Sequence, residues 1–166
     1  MNTAYGTVTP TIARDVAAIV GAHHVVYAEP ERLAPYGRDE SVEADGGRPP
    51  ELAVRPGSAD EVQAIVRLAV THRLPITPRG AGSGLSGGAI PIHGGIVIDL
   101  GRMNRILEID TENLMVVVEP GVVTSEINEA LRPHGLFYAG YPMSLETCCI
   151  GGNVAENAGG GKAIKY

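Results

Sequence analysis

Two glycine-rich stretches hold the residues best suited to chemistry. The first is Pro78-Arg79-Gly80-Ala81-Gly82-Ser83-Gly84-Leu85-Ser86-Gly87-Gly88, directly after an apolar run. Five of the nine residues from 80 to 88 are glycine, a density too high for a mechanical hinge. Glycine lets a backbone approach a ligand closely and turn successive N–H groups one way, which makes a nest for phosphate. Arg79 adds charge, and the Ser83 and Ser86 hydroxyls add donors. The second stretch runs from Glu146 to Gly161 and combines paired glycines with Asn153 and Asn157, four residues apart. If 153–157 is one helical turn, both amides face the same way and could read the edge of a heteroaromatic ring. Turn chemistry with asparagine caps accounts for them equally well.

Other glycine-loop chemistries fail on their neighbours. Gly82 to Gly87 matches G-x-G-x-x-G, but a dinucleotide fold needs a helix to begin there. Gly87, Gly88 and Pro91 forbid one, and Asp99 follows too soon to serve as the ribose ligand. A Walker loop fails because Ala163 follows Gly161-Lys162 and Glu156 stands where the upstream glycine belongs. The adjacent Cys148 and Cys149 can neither close an unstrained disulfide nor build a metal cage alone. They read as buried, inert thiols. No metal site and no catalytic side chain is assigned.

The elements that must position these stretches follow from periodicity. Ile12, Val16, Ile19 and Val20 share one face of a helix over 11–20, with Pro10 in its first turn. Residues 23–27 read as a short strand carrying His23 and His24, and 28–50 as an irregular arm. A strand over 51–55 precedes Ser58-Ala59-Asp60-Glu61, a capping box. The helix it opens runs to about residue 72, with Val62, Ile65, Val66 and Ala69 inward. A strand over 74–77 completes a βαβ unit. Residues 96–100 read as a strand buried on both faces. Strands over 106–109 and 114–118 form a hairpin, and Thr124 caps a helix to about 132, with Ile127 and Leu131 inward.

The chain has 166 residues, enough for one domain with a real core. Its net charge is −6, with one Phe and no Trp. No basic tract or stacking platform for nucleic acid is present. No run reaches the ~18 apolar residues of a membrane span. The first ten residues lack a secretion signal, so a cytoplasmic location is expected.

Taken in order, the first stretch, then Pro120-Gly121-Val122, then Cys149-Ile150-Gly151-Gly152-Asn153-Val154-Ala155-Glu156-Asn157-Ala158-Gly159-Gly160, then Lys165-Tyr166 resemble the FAD-binding (PCMH-type) domain of the vanillyl-alcohol oxidase / p-cresol methylhydroxylase superfamily. The branch most similar holds glycolate oxidase GlcD-type subunits and FAD-linked D-lactate dehydrogenases. The resemblance covers about residues 45–166, leaving 1–45 as an N-terminal helix and arm and 46–166 as the FAD-binding domain. It implies an α+β fold, with a small parallel-strand lobe and a mixed β lobe flanked by helices, and FAD between them. It assigns the FAD diphosphate to Arg79, Gly80, Ala81, Gly82, Ser83, Gly84 and Leu85. It assigns flavin and ADP contacts to Pro142, Ser144, Cys149, Gly151, Gly152, Asn153 and Asn157. Tyr141 stands where the family usually has Asp, and Cys149 where it more often has Ser or Thr. Ser83 occupies the position at which some members attach FAD through His, so FAD is expected to be non-covalent. The implied activity is oxidation of a 2-hydroxy acid of the glycolate or D-lactate type. An FAD or nucleotide-binding module without turnover is the alternative. Members of the family continue past the Lys-Tyr pair into a substrate-binding cap domain. The chain is therefore expected to be an N-terminal fragment, incomplete at its C-terminus, that meets its substrate through that cap and can have other oxidase subunits as partners.

Overall fold

The computed structural model describes residues 5–41 and 48–166. Helix α1, Pro10–Val20, starts where Thr9 Oγ1 accepts the Ile12 N–H at 3.3 Å and ends at Gly21, whose φ is 89°. Ile12, Ala13, Val16 and Val20 on one face are buried. The strand expected from residue 23 starts later. The exit through Gly21 feeds a 3-10 turn, Ala22–His24, and β1 is Val25–Tyr27. His23 is therefore exposed on a turn. The arm expected to be irregular contains a helical turn, α2, Pro30–Leu33, and a 3-10 turn, Ala34–Gly37. Leu33 supplies the apolar anchor, buried among Val26, Ala53 and Val97. Residues 42–47 of that arm lie outside the described residues.

Strand β2, Leu52–Val54, helix α3, Ala59–Thr71, β3, Ile76–Arg79, and β4, Ile96–Asp99, complete the first lobe. The sheet order is β1-β2-β4-β3, with β2 and β3 parallel to β4 and β1 antiparallel to β2. The central β4 is buried on both faces, as its apolar run requires. Ile96 and Ile98 pack with Val16, Leu52, Val54 and Ile65, while Val97 packs on the opposite face with Leu33 and Ala53. Asp99 ends the run. Helix α1 thus shares its core with the strands and with α3.

Three local expectations shift. In α3 the inward face narrows to Ile65 and Ala69, and Val66 is exposed. Ser58 Oγ accepts the Glu61 N–H at 3.2 Å, but the Glu61 carboxylate reaches Gly57 N–H at 2.7 Å, one residue before the cap. Strand β3 starts two residues late, because the Leu74 N–H still closes α3 on the Ala69 carbonyl at 2.8 Å.

The second lobe is a hairpin, β5, Ile106–Asp110, and β6, Met115–Val118, against α4, Thr124–Leu131, and α5, Ile150–Ala155. Asp110 organises the turn by accepting the N–H groups of Glu112 and Asn113. Val122, Ile127, Leu131 and Ile150 form the core beneath the hairpin. Thr124 does not cap α4: the cap position is Val123, and Thr124 is fully buried. Among the described residues, no helix is long and apolar enough to cross a membrane.

Candidate functional site

Strand β3 delivers the first glycine-rich stretch at the edge of the sheet, with Arg79 in register with Asp99 of β4. The chain then leaves regular structure. Gly82 has φ 73° and Gly87 φ 79°, the left-handed region in which a side chain is strained. At Gly82 a Cβ would also displace the Arg79 guanidinium. That guanidinium is turned beneath the loop. Its Nη1 donates to the Arg38 carbonyl at 2.7 Å, and it lies 5.8 Å from the centre of the Tyr36 ring. Burial pulls Arg79 below its ordinary value, opposed by Asp99, Tyr36 and Asp39. An arginine so placed stays charged, and the positive charge sits directly behind Gly82.

The second stretch packs under the first. Cys149 forms an isolated antiparallel bridge with Val123, and a Cβ on Gly80 would sit 3.1 Å from the Cys149 Cβ. A side chain at 80 would be tight against Cys149, which would have to give by a few tenths of an ångström. Burial raises the Cys149 thiol above its ordinary value, partly offset by the Ala81 N–H. The thiol stays protonated, in line with the inert reading. A second contact joins Ser86 Oγ to Glu156 Oε2 at 2.6 Å. The Glu156 carboxylate lies across the loop, 2.6 Å from where a Cβ on Gly88 would be.

The residues expected at the flavin and ADP part are dispersed along this segment. Tyr141 bridges Gly160, its N–H donating to the Gly159 carbonyl at 3.0 Å, which sets Pro142 beside the terminal glycines. The Ser144 carbonyl accepts the Thr147 and Cys148 N–H groups, both at 2.8 Å, and makes the turn that leads into Cys149. Gly151 is packed tightly on Pro120: its N–H donates to the Pro120 carbonyl at 2.9 Å, and a Cβ would lie 2.7 Å from the Pro120 Cβ. Gly152 faces open space. The two asparagines part company. Asn153 lies in α5, is buried, and donates from Nδ2 to Thr124 Oγ1 at 2.6 Å. Asn157 lies past the end of α5, with φ 56°, and is exposed. The shared helical face expected for them does not form, because α5 ends at Ala155.

The loop leaves a run of donors unpaired. Among the described residues, the backbone N–H groups from Gly82 to Ser86 form no hydrogen bond to the protein, whereas Gly87 N–H is held by Asp39. A loop of free N–H groups with an arginine behind it is an anion cradle. The sequence reading gave no binding role to Asp39 or Glu156, which touch the loop at Gly87 and Ser86. Glu156 stands inside the second family motif, where its neighbours drew the assignment, and Asp39 has no recognisable spacing to the loop.

Several known proteins are similar to this chain. A family model described as an FAD binding domain matches residues 50–166. The chain is 44% identical over 117 residues to the glycolate oxidase subunit GlcD of Bacillus subtilis, covering 70% of this chain and 25% of that protein. It is 43% identical over 117 residues to a D-lactate dehydrogenase of Anaerostipes hadrus, covering 70% and 24%. The chain thus spans about a quarter of the curated relatives it matches. Among solved structures, 4-ethylphenol oxidase from Gulosibacter chungangensis superposes with a TM-score of 0.72 at 28% identity, over 86% of this chain and 28% of that one. An alkyldihydroxyacetonephosphate synthase shares the fold with a TM-score of 0.84 at 23% identity, over 100% of this chain and 32% of that one. With the glycine cradle seated on the Cys149 segment and the family match running through both, the chain belongs to the PCMH-type FAD-binding domain family, and FAD is its cofactor.

Proposed function

We propose that this chain provides the FAD-binding part of a flavin-dependent oxidoreductase acting on a small 2-hydroxy acid of the glycolate or D-lactate type, with FAD held non-covalently. The observation that carries most weight is the free N–H run from Gly82 to Ser86, seated against Cys149 with Arg79 behind it. The named activities of the GlcD subunit and the D-lactate dehydrogenase point to the substrate class.

In this reading Gly80, Ala81, Gly82, Ser83, Gly84 and Leu85 surround the diphosphate, and the Arg79 charge favours it. Pro142, Ser144, Cys149, Gly151, Gly152 and Asn157 line the path of the rest of the cofactor. Asn153 acts through its bond to Thr124, which fixes α5, rather than through an amide turned to the ring. Ser83 offers no ring nitrogen for a covalent bond to flavin. Bound FAD supplies a two-electron acceptor for the carbon bearing the hydroxyl; the protein supplies placement and electrostatics.

The test is the visible absorption spectrum of the purified chain after incubation with FAD and gel filtration. A retained, shifted flavin band that acid precipitation releases into the supernatant is expected. A folded chain that retains none overturns the reading. A retained flavin that neither glycolate nor D-lactate bleaches under anaerobic conditions favours a binding module without turnover.

A further inference from the structure

The segment Arg38 to Glu40 lies before the matched domain, which begins at residue 50. It nevertheless touches the glycine-rich stretch at three separate points. The Arg38 carbonyl accepts from Arg79 Nη1 at 2.7 Å. The Glu40 N–H donates to the Gly84 carbonyl at 3.0 Å. Asp39 Oδ2 accepts the Gly87 N–H at 2.9 Å, while its Oδ1 accepts the Ser41 N–H at 2.9 Å. Asp39 is only 7% exposed, unusual for an aspartate unless it is paired. Burial alone would raise its carboxyl, but the Ser41 and Gly87 hydrogen bonds and the Arg79 charge outweigh burial and hold it below the ordinary value.

These contacts have a pattern. Glu40 holds the Gly84 carbonyl, and Asp39 takes the N–H of Gly87, which follows the free run from Gly82 to Ser86. One carbonyl inside the run and the N–H that follows it are thereby tied to the 38–40 segment, while the N–H groups from Gly82 to Ser86 stay free. Fixing a glycine loop before binding removes ordering entropy that would otherwise oppose the ligand.

We infer that Arg38, Asp39 and Glu40 form a clamp that pre-organises the diphosphate loop, with Asp39 as the positioning residue for FAD binding. Resting on the FAD reading above, the inference adds a determinant of affinity from outside the matched domain. Asp39 does not touch the cofactor. It holds Gly87, and through Gly87 the direction of the preceding N–H groups.

The test is FAD affinity of the full chain by flavin fluorescence quenching, beside circular dichroism and thermal unfolding without FAD. Asp39→Ala removes the acceptor, and the FAD Kd is expected to rise about tenfold, the scale of one charge-assisted hydrogen bond. Asp39→Asn keeps one carbonyl acceptor but sets its NH2 against the second N–H, since Gly87 and Ser41 both donate to Asp39, so its FAD Kd is expected between those of the parent and Asp39→Ala. Glu40→Pro deletes the N–H that reaches Gly84 at an exposed side chain, and it tests the clamp should Asp39→Ala not fold. It is expected to weaken FAD about fivefold. Folded variants with parental affinity overturn the clamp alone. A parent chain that binds no FAD overturns the cofactor reading and the clamp together.

Discussion

Asn153 offers the sharpest test of whether a family-motif residue faces the ligand or the core. Its side chain is buried, and Nδ2 donates to Thr124 Oγ1 at 2.6 Å. Thr124 is itself fully buried and can pass its own proton to the Cys148 carbonyl at 3.2 Å. Asn153→Ala therefore leaves the threonine O–H paired but removes the donor to its lone pair and opens a small void. A lost buried hydrogen bond costs about 1 kcal/mol and the void adds a comparable amount, so the chain should lose about 2 kcal/mol. With an m-value of about 2 kcal/mol/M in urea, the unfolding midpoint should drop by about 1 M. Thr124→Val preserves shape and removes the acceptor, so the double variant should reveal a coupling of about 1 kcal/mol. The assay is urea unfolding followed by circular dichroism without FAD, beside FAD titration of each folded variant. An Asn153→Ala protein with parental stability and a much weaker FAD affinity would refute the assignment and place the amide on the cofactor.

Other expectations follow from contacts already described. Glu156 lays a carboxylate across the cradle, so Glu156→Gln should tighten FAD about threefold at low ionic strength, and the gain should vanish in 1 M salt. A gain that persists in salt would mean a change of loop shape instead. Glu119 accepts the Arg105 backbone N–H at 2.8 Å and its guanidinium at 2.7 Å. The Arg105 hydrogen bonds hold the Glu119 carboxyl below its ordinary value of 4.5. A folded value below the unfolded one contributes stability that is present above pH 4.5 and lost as pH falls through the folded value. Glu119→Gln should flatten the fall of the urea midpoint below that pH, and an unchanged slope would remove Glu119 from the acid response. A Cβ on Gly121 would overlap the Leu100 carbonyl and lie 2.8 Å from the Met103 carbonyl. Both are backbone and cannot move aside cheaply, so Gly121→Ala should cost about 3 kcal/mol or more in thermal unfolding. Parental stability would show that this turn has slack.

What was legible in the sequence is what a short range decides. The apolar run of β4, the helical face of α1 and the Asp110 turn are each written in neighbouring residues, and each stands where its pattern places it. Errors arise where a residue's partner is remote. Thr124 reads as a cap because threonine before a helical pattern often is one; its actual partners, Cys148 and Asn153, lie 24 and 29 residues away. Val66 has helical spacing suited to burial, yet the cover over α3 buries Ile65 and Ala69, reaches Leu68 in part and leaves Val66 exposed. The cradle follows the same rule. Its glycines are visible because a free backbone needs them locally, at Gly82 for its positive φ and at Gly80 for close approach to Cys149. The side chains that fix its shape, Asp39 from 48 residues upstream of Gly87 and Glu156 from 70 residues beyond Ser86, are chosen by the fold. A glycine motif therefore marks where a backbone can leave its N–H groups free. The residues that hold the motif in its binding form follow from topology, and Asp39 reaches the loop because the chain after α2 returns to the edge beside β3.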